Sequence, residues 1–271
     1  MWKKIMYALA LLVGTCLMAN GAFAESLSLR EATTKTLVNH AALQLFSYRE
    51  EALMARRQTS ALRPGFVVGT ELENFAGTGI TNGFDEAELT VSLSSVIELG
   101  SKRQARLASI DARAGLLEME RQVQALDVLG TMTTQFIAVL ALQERLVLAQ
   151  ESEALAKETT ATVKARVDAG AAPDAELLRA QAIHSQARLT VSQIKRELEV
   201  AKVALASFWG GRHGSISPAK GDLFNFGSSI EFKTLYRRAV DSPGIQIYAS
   251  QERLQESAVK LARTRDRSDL R

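Results

Sequence analysis

Apolar residues recur through most of the chain in alternating steps of three and four, the period that lines them along one side of an α-helix. The clearest run is Leu177, Ala180, His184, Ala187, Val191, Ile194, Leu198, Ala201, Leu205 and Phe208, an unbroken coiled-coil seam. Ahead of it, Ser101 to about Val167 forms a second long helical stretch. No proline falls between Lys102 and Ala172, and Gly115 and Gly130 are its only glycines before Gly170, so nothing obliges a helix to stop. The sharp turn Asp168-Ala169-Gly170-Ala171-Ala172-Pro173 separates the two, and the returning arm runs from Asp174 to about Phe208. The pattern predicts a hairpin of long antiparallel helices, whose descending arm, at ~1.5 Å per residue, would reach roughly 100 Å.

The descending arm carries two overlapping stripes. Leu116, Met119, Val123, Leu126, Ile137 and Leu140 form one, and Leu129, Met132, Phe136, Val139 and Leu146 the other. They lie roughly 100° apart around the helix, so the arm is able to pack on two flanks. A wide core-facing surface and the wall of a hollow helical barrel share this pattern.

Elsewhere the period changes. Leu29 to Leu62 reads as one helix with a seam at Val38, Ala41, Leu45, Tyr48, Ala52, Ala55, Thr59 and Leu62, ended by Arg63-Pro64-Gly65. A period of two follows. In Phe66 to Phe75, Val68, Thr70 and Leu72 alternate with Gly69, Glu71 and Glu73. In Glu86 to Ile97, Ala87, Leu89, Val91, Leu93 and Ile97 alternate with Glu88, Thr90, Ser92 and Ser94. These are two strands joined by a glycine-rich loop over 76–83. Each is about ten residues with one apolar face, the weak signature of a membrane-barrel wall; a soluble hairpin with one face on a core reads the same way. The only companions here are long helices and a lone hairpin is marginal, so other strands are expected to complete a sheet. In a barrel, Leu89, Val91 and Leu93 would face lipid and Thr90, Ser92 and Ser94 the lumen.

After the returning helix, Trp209-Gly210-Gly211 opens a mixed linker to about Ser229, and then the first helix recurs. Setting Ala42-Leu43-Gln44-Leu45 against Gly244-Ile245-Gln246-Ile247 aligns Val38 with Val240, Glu50 with Glu252 and Leu62 with Thr264. The stripe returns as Val240, Ile247, Leu254 and Leu261, with serines in its gaps. This is an internal duplication. Its second copy is expected to stop where its own strands should begin, near Leu270.

Lys3 and Lys4 precede the apolar run Ile5 to Met18, and Ala22-Phe23-Ala24 precedes Glu25, which together read as a cleaved secretory signal. Cys16, the single cysteine, lies inside that run after Thr15, a poor setting for lipidation; removal of the signal leaves neither a disulfide nor a thiolate site. The 271 residues include 33 basic and 30 acidic side chains, and losing Lys3 and Lys4 leaves 31 against 30. Net charge therefore lends no support to a nucleic-acid partner.

Little of the sequence carries chemistry. His40, His184 and His213 do not cluster, the loop 77–83 fails the dinucleotide spacing, and the carboxylates at Glu50-Glu51 and Glu71 with Glu73 have no third partner near them. No catalytic group, cofactor or metal site is expected, and the chain is not read as an enzyme.

The order of signal, helix, strand hairpin, long helical hairpin, linker and second helix resembles the TolC-like outer-membrane factors of tripartite efflux systems. Glu71-Leu72-Glu73-Asn74-Phe75 with Gly77 and Gly79, then Leu93-Ser94, carry the local match, as does Val96-Ile97-Glu98-Leu99-Gly100-Ser101-Lys102-Arg103-Gln104-Ala105-Arg106. These look like the cobalt-zinc-cadmium resistance branch, whose strand-to-helix junction often reads ELG-G-KR; here Ser101 replaces the second glycine. The turn Arg166-Val167-Asp168-Ala169-Gly170 with Asp174, Leu177 and Ala180 resembles the family's periplasmic tip.

The resemblance implies a mainly α fold with a β-hairpin, in which a long antiparallel coiled-coil helical hairpin is joined to two outer-membrane barrel strands as a truncated TolC-like fold. Its parts would be a signal peptide (1–24), a first periplasmic helix (25–65), a β-barrel hairpin (66–97), the periplasmic helical hairpin (98–208, tip near 168–173), an equatorial linker (209–229) and the start of a second repeat (230–271). It implies a passive outer-membrane channel component of an RND-type efflux system, exporting heavy-metal cations, with its helical body in the periplasm. Family members are homotrimers, so the implied partners are two further copies of a completed chain, outer-membrane lipid, a periplasmic adaptor (membrane fusion protein) and an inner-membrane RND pump. Val167, Asp168, Ala169, Gly170, Ala171, Asp174 and Leu177 would form the adaptor-docking tip, and Glu98, Leu99, Gly100, Lys102 and Arg103 the strand-to-helix junction. A truncated remnant, or a periplasmic coiled-coil protein resembling an efflux adaptor, is the alternative; the latter should carry a lipoyl-like domain, which is not seen in the sequence.

Overall fold

A computed structural model describes residues 26–74, 87–211, 217–225, 227–264, 266 and 268–270. The signal segment with Cys16, the loop 76–83 and His213 lie outside them. The chain divides into two units, one drawn from residues up to 40 and from 128–228, the other from 41–127 and from 229 onward.

In the first unit, β1 (Leu27–Ser28) leads into α1 (Leu29–Asn39), which starts on a capping box. The Glu31 amide donates to Ser28 Oγ at 3.2 Å and the Ser28 amide to Glu31 Oε2 at 2.8 Å, satisfying two amides the first turn leaves over. The unit is dominated by the second part of α3 (Lys102–Asp168), an uninterrupted 67-residue helix, and by α4 (Asp174–Ser207). All ten seam positions read from the sequence, Leu177 through Phe208, are buried or half-buried. Gln135 Nε2 donates to the Ala201 carbonyl at 3.0 Å and Thr160 Oγ1 to the Ala180 carbonyl at 3.2 Å, which sets the antiparallel register of the two helices. Met132, Phe136, Val139 and Leu140 of α3 pack in one cluster with Leu198, Ala201 and Leu205 of α4, and Leu27, Ala32 and Ala219 close it.

The two stripes of α3 do not divide into a covered and an open one. Met132, Phe136 and Val139 are buried, but so are Leu116 and Leu140 of the other stripe, whose Leu126 and Ile137 are about half exposed. Near this core the linker is more ordered than its composition indicates. Ala219–Lys220 (β4) pairs in parallel with β1, and Gln143 on α3 grips the Ala219 backbone twice, donating to its carbonyl and accepting from its amide, both at 2.9 Å.

The second unit corrects the reading of a single first helix. The helix breaks at His40, whose backbone is extended (φ −67, ψ 123), and resumes as α2 (Ala41–Ala61). Leu43 and Phe46 of α2 are buried, while Leu45, Tyr48 and Leu62 of the expected stripe are exposed. The helix is apolar on two flanks, and only the unexpected one is covered.

Strands β2 (Phe66–Glu73) and β3 (Glu88–Ser95) form an antiparallel ribbon in the register Val68 to Leu93, Thr70 to Val91 and Leu72 to Leu89. Because strand side chains alternate, these residues share one face and Gly69, Glu71, Thr90, Ser92 and Ser94 the other, as the sequence predicts. The described residues form this two-stranded ribbon and not a closed barrel.

Helices α5 (Phe232–Val240) and α6 (Pro243–Thr264) repeat α1 and α2, with Pro243 opening α6 where Ala41 opens α2. The repeated helices bury opposite flanks. In α6, Ser250 and Ser257 are buried and Ile247, Leu254 and Leu261 half-buried, the stripe equivalent to exposed Leu45, Tyr48 and Ala52 of α2. Conversely Ile245 and Tyr248, equivalent to buried Leu43 and Phe46, are exposed.

The burial contrast within α3 predicts a contrast in stability. Phe136→Ala should cost about 3–5 kcal/mol and Ile137→Ala less than about 1 kcal/mol. Urea unfolding followed by circular dichroism reads both, and equal losses would mean the two residues are assigned to the wrong flanks.

Candidate functional site

Two segments concentrate the residues singled out in the sequence, the helical tip and the strand-to-helix junction. At the tip, Gly170 takes the left-handed conformation (φ 72) just past the end of α3. The Ala171 amide donates to the Arg166 carbonyl and the Gly170 amide to the Val167 carbonyl, both at 2.8 Å, the pair of bonds that define a Schellman motif. Pro173 occupies the N-cap of α4 with an extended backbone (φ −77, ψ 152); it has no side-chain acceptor for the first-turn amides, and its carbonyl accepts from the Glu176 amide at 3.0 Å. Asp174 and Glu176 place negative charge in that first turn, where the helix dipole favours it.

Asp168, Ala169, Gly170, Ala171 and Asp174 are exposed, and Val167 and Leu177 half-buried. Asp168 accepts from Lys164 at 2.7 Å one helical turn back. The tip therefore presents small side chains, with its one charged pair satisfied locally. Behind it, an apolar groove of about 450 Å³ opens between α3 and α4, leaving Leu155 and Ile183 exposed on its rims.

The junction is built from closely coupled polar contacts. Gly100 and Ser101 both have positive φ, 74 and 62, so the chain makes a left-handed step between β3 and α3. Glycine at both positions would carry no Cβ penalty; Ser101 bears one. Glu98 accepts from both terminal nitrogens of Arg106, with Nη2 at 3.0 Å. Asp269 accepts from Lys102 Nζ at 2.7 Å and from the Leu99 amide at 3.1 Å. Arg103 Nε donates to the carbonyl of Ala61, the last residue of α2, at 2.6 Å, a cation on a helix C-terminus. Ile97 and Leu270 exchange backbone hydrogen bonds of 2.8 and 3.2 Å in an antiparallel bridge.

Glu98, Leu99 and Gly100 lie between the end of β3 and the start of α3, and Lys102 and Arg103 open α3. Asp269 and Leu270 complete the cluster from far along the chain; the alignment of Leu62 with Thr264 places them level with Val67 and Val68 but gives no sign of their contacts. The Arg106 hydrogen bond holds the Glu98 carboxyl below its usual range, and Arg106 is correspondingly raised. Asp269 is lowered by Lys102 and by the Leu99 amide.

Nothing in either segment resembles a reaction centre. The described residues contain no group of three or more His, Cys, Asp or Glu able to hold a metal ion. His184 sits half-buried on the α4 seam, and His40 lies against Phe208 with ring centroids 6.0 Å apart.

Residues 55–211 match the family described as outer membrane efflux protein. The cobalt-zinc-cadmium resistance protein CzcC of Cupriavidus metallidurans is 25% identical over 181 residues, 67% of this chain and 43% of that protein. Among solved structures, a membrane protein from Pseudomonas aeruginosa superimposes with a TM-score of 0.67 at 16% identity, over 87% of this chain and 55% of its own. The Campylobacter jejuni CmeC outer membrane channel gives 0.66 at 18% identity, over 87% and 53%. The chain spans about half the length of the proteins it matches.

Two expectations follow from the junction. Ser101→Gly should stabilise the protein by about 0.5–1 kcal/mol, relief of the left-handed strain exceeding the added freedom of the unfolded chain; a lower urea midpoint would contradict it. Since the folded pKa of Glu98 is depressed, its ion pair contributes stability above the unfolded pKa and loses it as pH falls through the folded one. The stability gap between wild type and Glu98→Gln should therefore be constant above about pH 5 and close on further acidification. A gap independent of pH down to 3 would refute this.

Proposed function

The chain belongs to the outer membrane efflux protein family, a family of transport and not of catalysis, and we propose that it forms part of the wall of an outer-membrane conduit in a tripartite RND-type efflux system. The observation that carries the membrane assignment is the β2–β3 ribbon. Val68, Leu72, Leu89, Val91 and Leu93 share one face of it and are 46–70% exposed. A soluble hairpin would cover such a face; a barrel wall sets it against lipid and turns Thr90, Ser92 and Ser94 opposite toward a polar lumen.

Self-association has separate support in the repeat. Because α2 leaves open the flank that α6 covers, and α6 the flank that α2 covers, each exposes a stripe of the kind its counterpart buries. Side-by-side copies related by rotation would cover these stripes in a ring, which favours a homo-oligomer, a trimer by resemblance. The conduit has no chemistry of its own; shape, assembly and docking are its whole contribution.

The heavy-metal assignment rests on the likeness to the cobalt-zinc-cadmium resistance protein and on the Glu98-Leu99-Gly100-Ser101-Lys102-Arg103 junction. The adaptor and inner-membrane pump are partners by the same reasoning. The tip supports docking through form: Gly170 closes it without bulk, and Ala169 and Ala171 leave backbone accessible to another helical hairpin.

Ala171→Arg tests the docking role, because it puts a long cation on the tip without touching Gly170 or the Schellman hydrogen bonds. In cells expressing the full-length protein it should lower crosslinking to the periplasmic adaptor about tenfold, overpacking of about 1–3 kcal/mol converting at about 1.4 kcal/mol per decade. Cobalt, zinc and cadmium resistance should fall with it while helicity and outer-membrane fractionation stay unchanged. Full crosslinking and resistance in the variant would remove the tip from the docking surface.

A further inference from the structure

Beside the junction, a cleft of about 770 Å³ opens at the end of the ribbon, where Phe66 begins β2 and Ser95 ends β3. Three cations line it: Arg63, Lys102 and Arg103. Its carboxylates are already engaged, Glu98 by Arg106 and the adjacent Asp269 by Lys102. Arg63 and Arg103 have no carboxylate partner among the described residues, and Arg103 commits only its Nε, to the Ala61 carbonyl. Two guanidiniums thus line a cleft whose carboxylates are already paired with other cations. Apolar surface adjoins them, since Phe66 is 77% and Ile97 60% exposed.

A planar guanidinium fork matches two oxygens of a phosphate, and neighbouring exposed apolar groups suit the start of an acyl chain. If the ribbon spans a bilayer, as proposed above, its end is the membrane boundary, where basic residues meet headgroups. We propose that this cleft binds the phosphodiester headgroup of an anionic phospholipid in the leaflet facing the helical body, with Arg63 and Arg103 as its ligands. The inference rests on the membrane reading of the ribbon. The bound lipid would fix the depth at which ribbon gives way to helix, a job the two arginines are free to do because the neighbouring ion pairs keep the carboxylates away.

The test uses the full chain in a non-ionic detergent, titrated with dihexanoyl-phosphatidylglycerol or dihexanoyl-phosphatidylcholine and read by phosphorus NMR line width. Phosphatidylglycerol should bind at least fivefold more tightly. Arg63→Gln, which removes no hydrogen bond or ion pair seen among the described residues, should abolish that preference, while Lys157→Gln, an exposed cation on the other unit, should leave it intact. Arg103→Gln, compared at matched circular dichroism, should weaken binding likewise. A wild type indifferent to the headgroup, or an Arg63→Gln protein that keeps the preference, overturns the assignment. Displacement of the lipid by an equal concentration of inorganic phosphate would make the free anion the ligand and also overturn it. Loss of the preference in a chain that still fractionates with the outer membrane sinks the cleft alone; a chain that never fractionates there sinks the conduit, whatever its headgroup preference in detergent.

Discussion

Two antiparallel helices can bury only one stripe of each against the other, and the rest of this chain depends on what becomes of the surface left over. The α3–α4 pair meets this constraint with the Met132–Phe136–Val139 stripe and the seam from Ala180 to Leu205. Leu126, Ile137, Leu155, Ile183 and Leu189 stay at least about half exposed. Two helices packed side by side share one line of contact, so apolar residues on their other flanks are left uncovered by the pair. That geometry explains why the chain has so much exposed hydrophobic surface without any one side chain being misplaced.

The parts that read plainly in the sequence are those governed by local period or by special backbone. The α4 seam was legible because ten consecutive positions obey one rule, and the tip because Gly170 and Pro173 each fit one position of a helix turn. Strand faces followed from alternation alone. What could not be read were features decided by competition or by distance. In α2 two stripes compete, Leu43–Phe46 and Leu45–Tyr48, and periodicity cannot say which finds a partner. The break at His40 has no glycine or proline to announce it. The β1–β4 pair and the Asp269 anchor join residues far apart in the chain, and residues such as Ala219 and Asp269 have no local signature. Of the candidate site, the sequence showed which residues gather at the junction, but not that Arg103 and Arg63 would be left without carboxylates.

The duplication also changes the meaning of a buried serine. In α6 the covered stripe carries Ser250 and Ser257 where α2 has Tyr48 and Ala55, and Ser257 returns its hydroxyl to the Leu254 carbonyl. Small side chains with locally satisfied hydroxyls let a neighbouring surface come close. Tyrosine at the equivalent place asks for a looser fit. The two helices of the repeat thus differ in which flank is covered while their stripes keep the same phase.

The parallel pair between β1 and β4 is only two residues on each side, yet it joins positions separated by about 190 residues, with Gln143 bonded to both polar groups of Ala219. The entropy of closing so long a loop grows only with the logarithm of its length, so the tie is thermodynamically ordinary. Its timing is not. A chain emerging from its N-terminal end presents α1 long before Ala219 exists to hold it, and Gln143 has nothing to grip until the returning helix has folded back. During synthesis, then, Leu27 and Ala32 stay unsheltered until Ala219 has been made. That shelter is complete only when β4 docks.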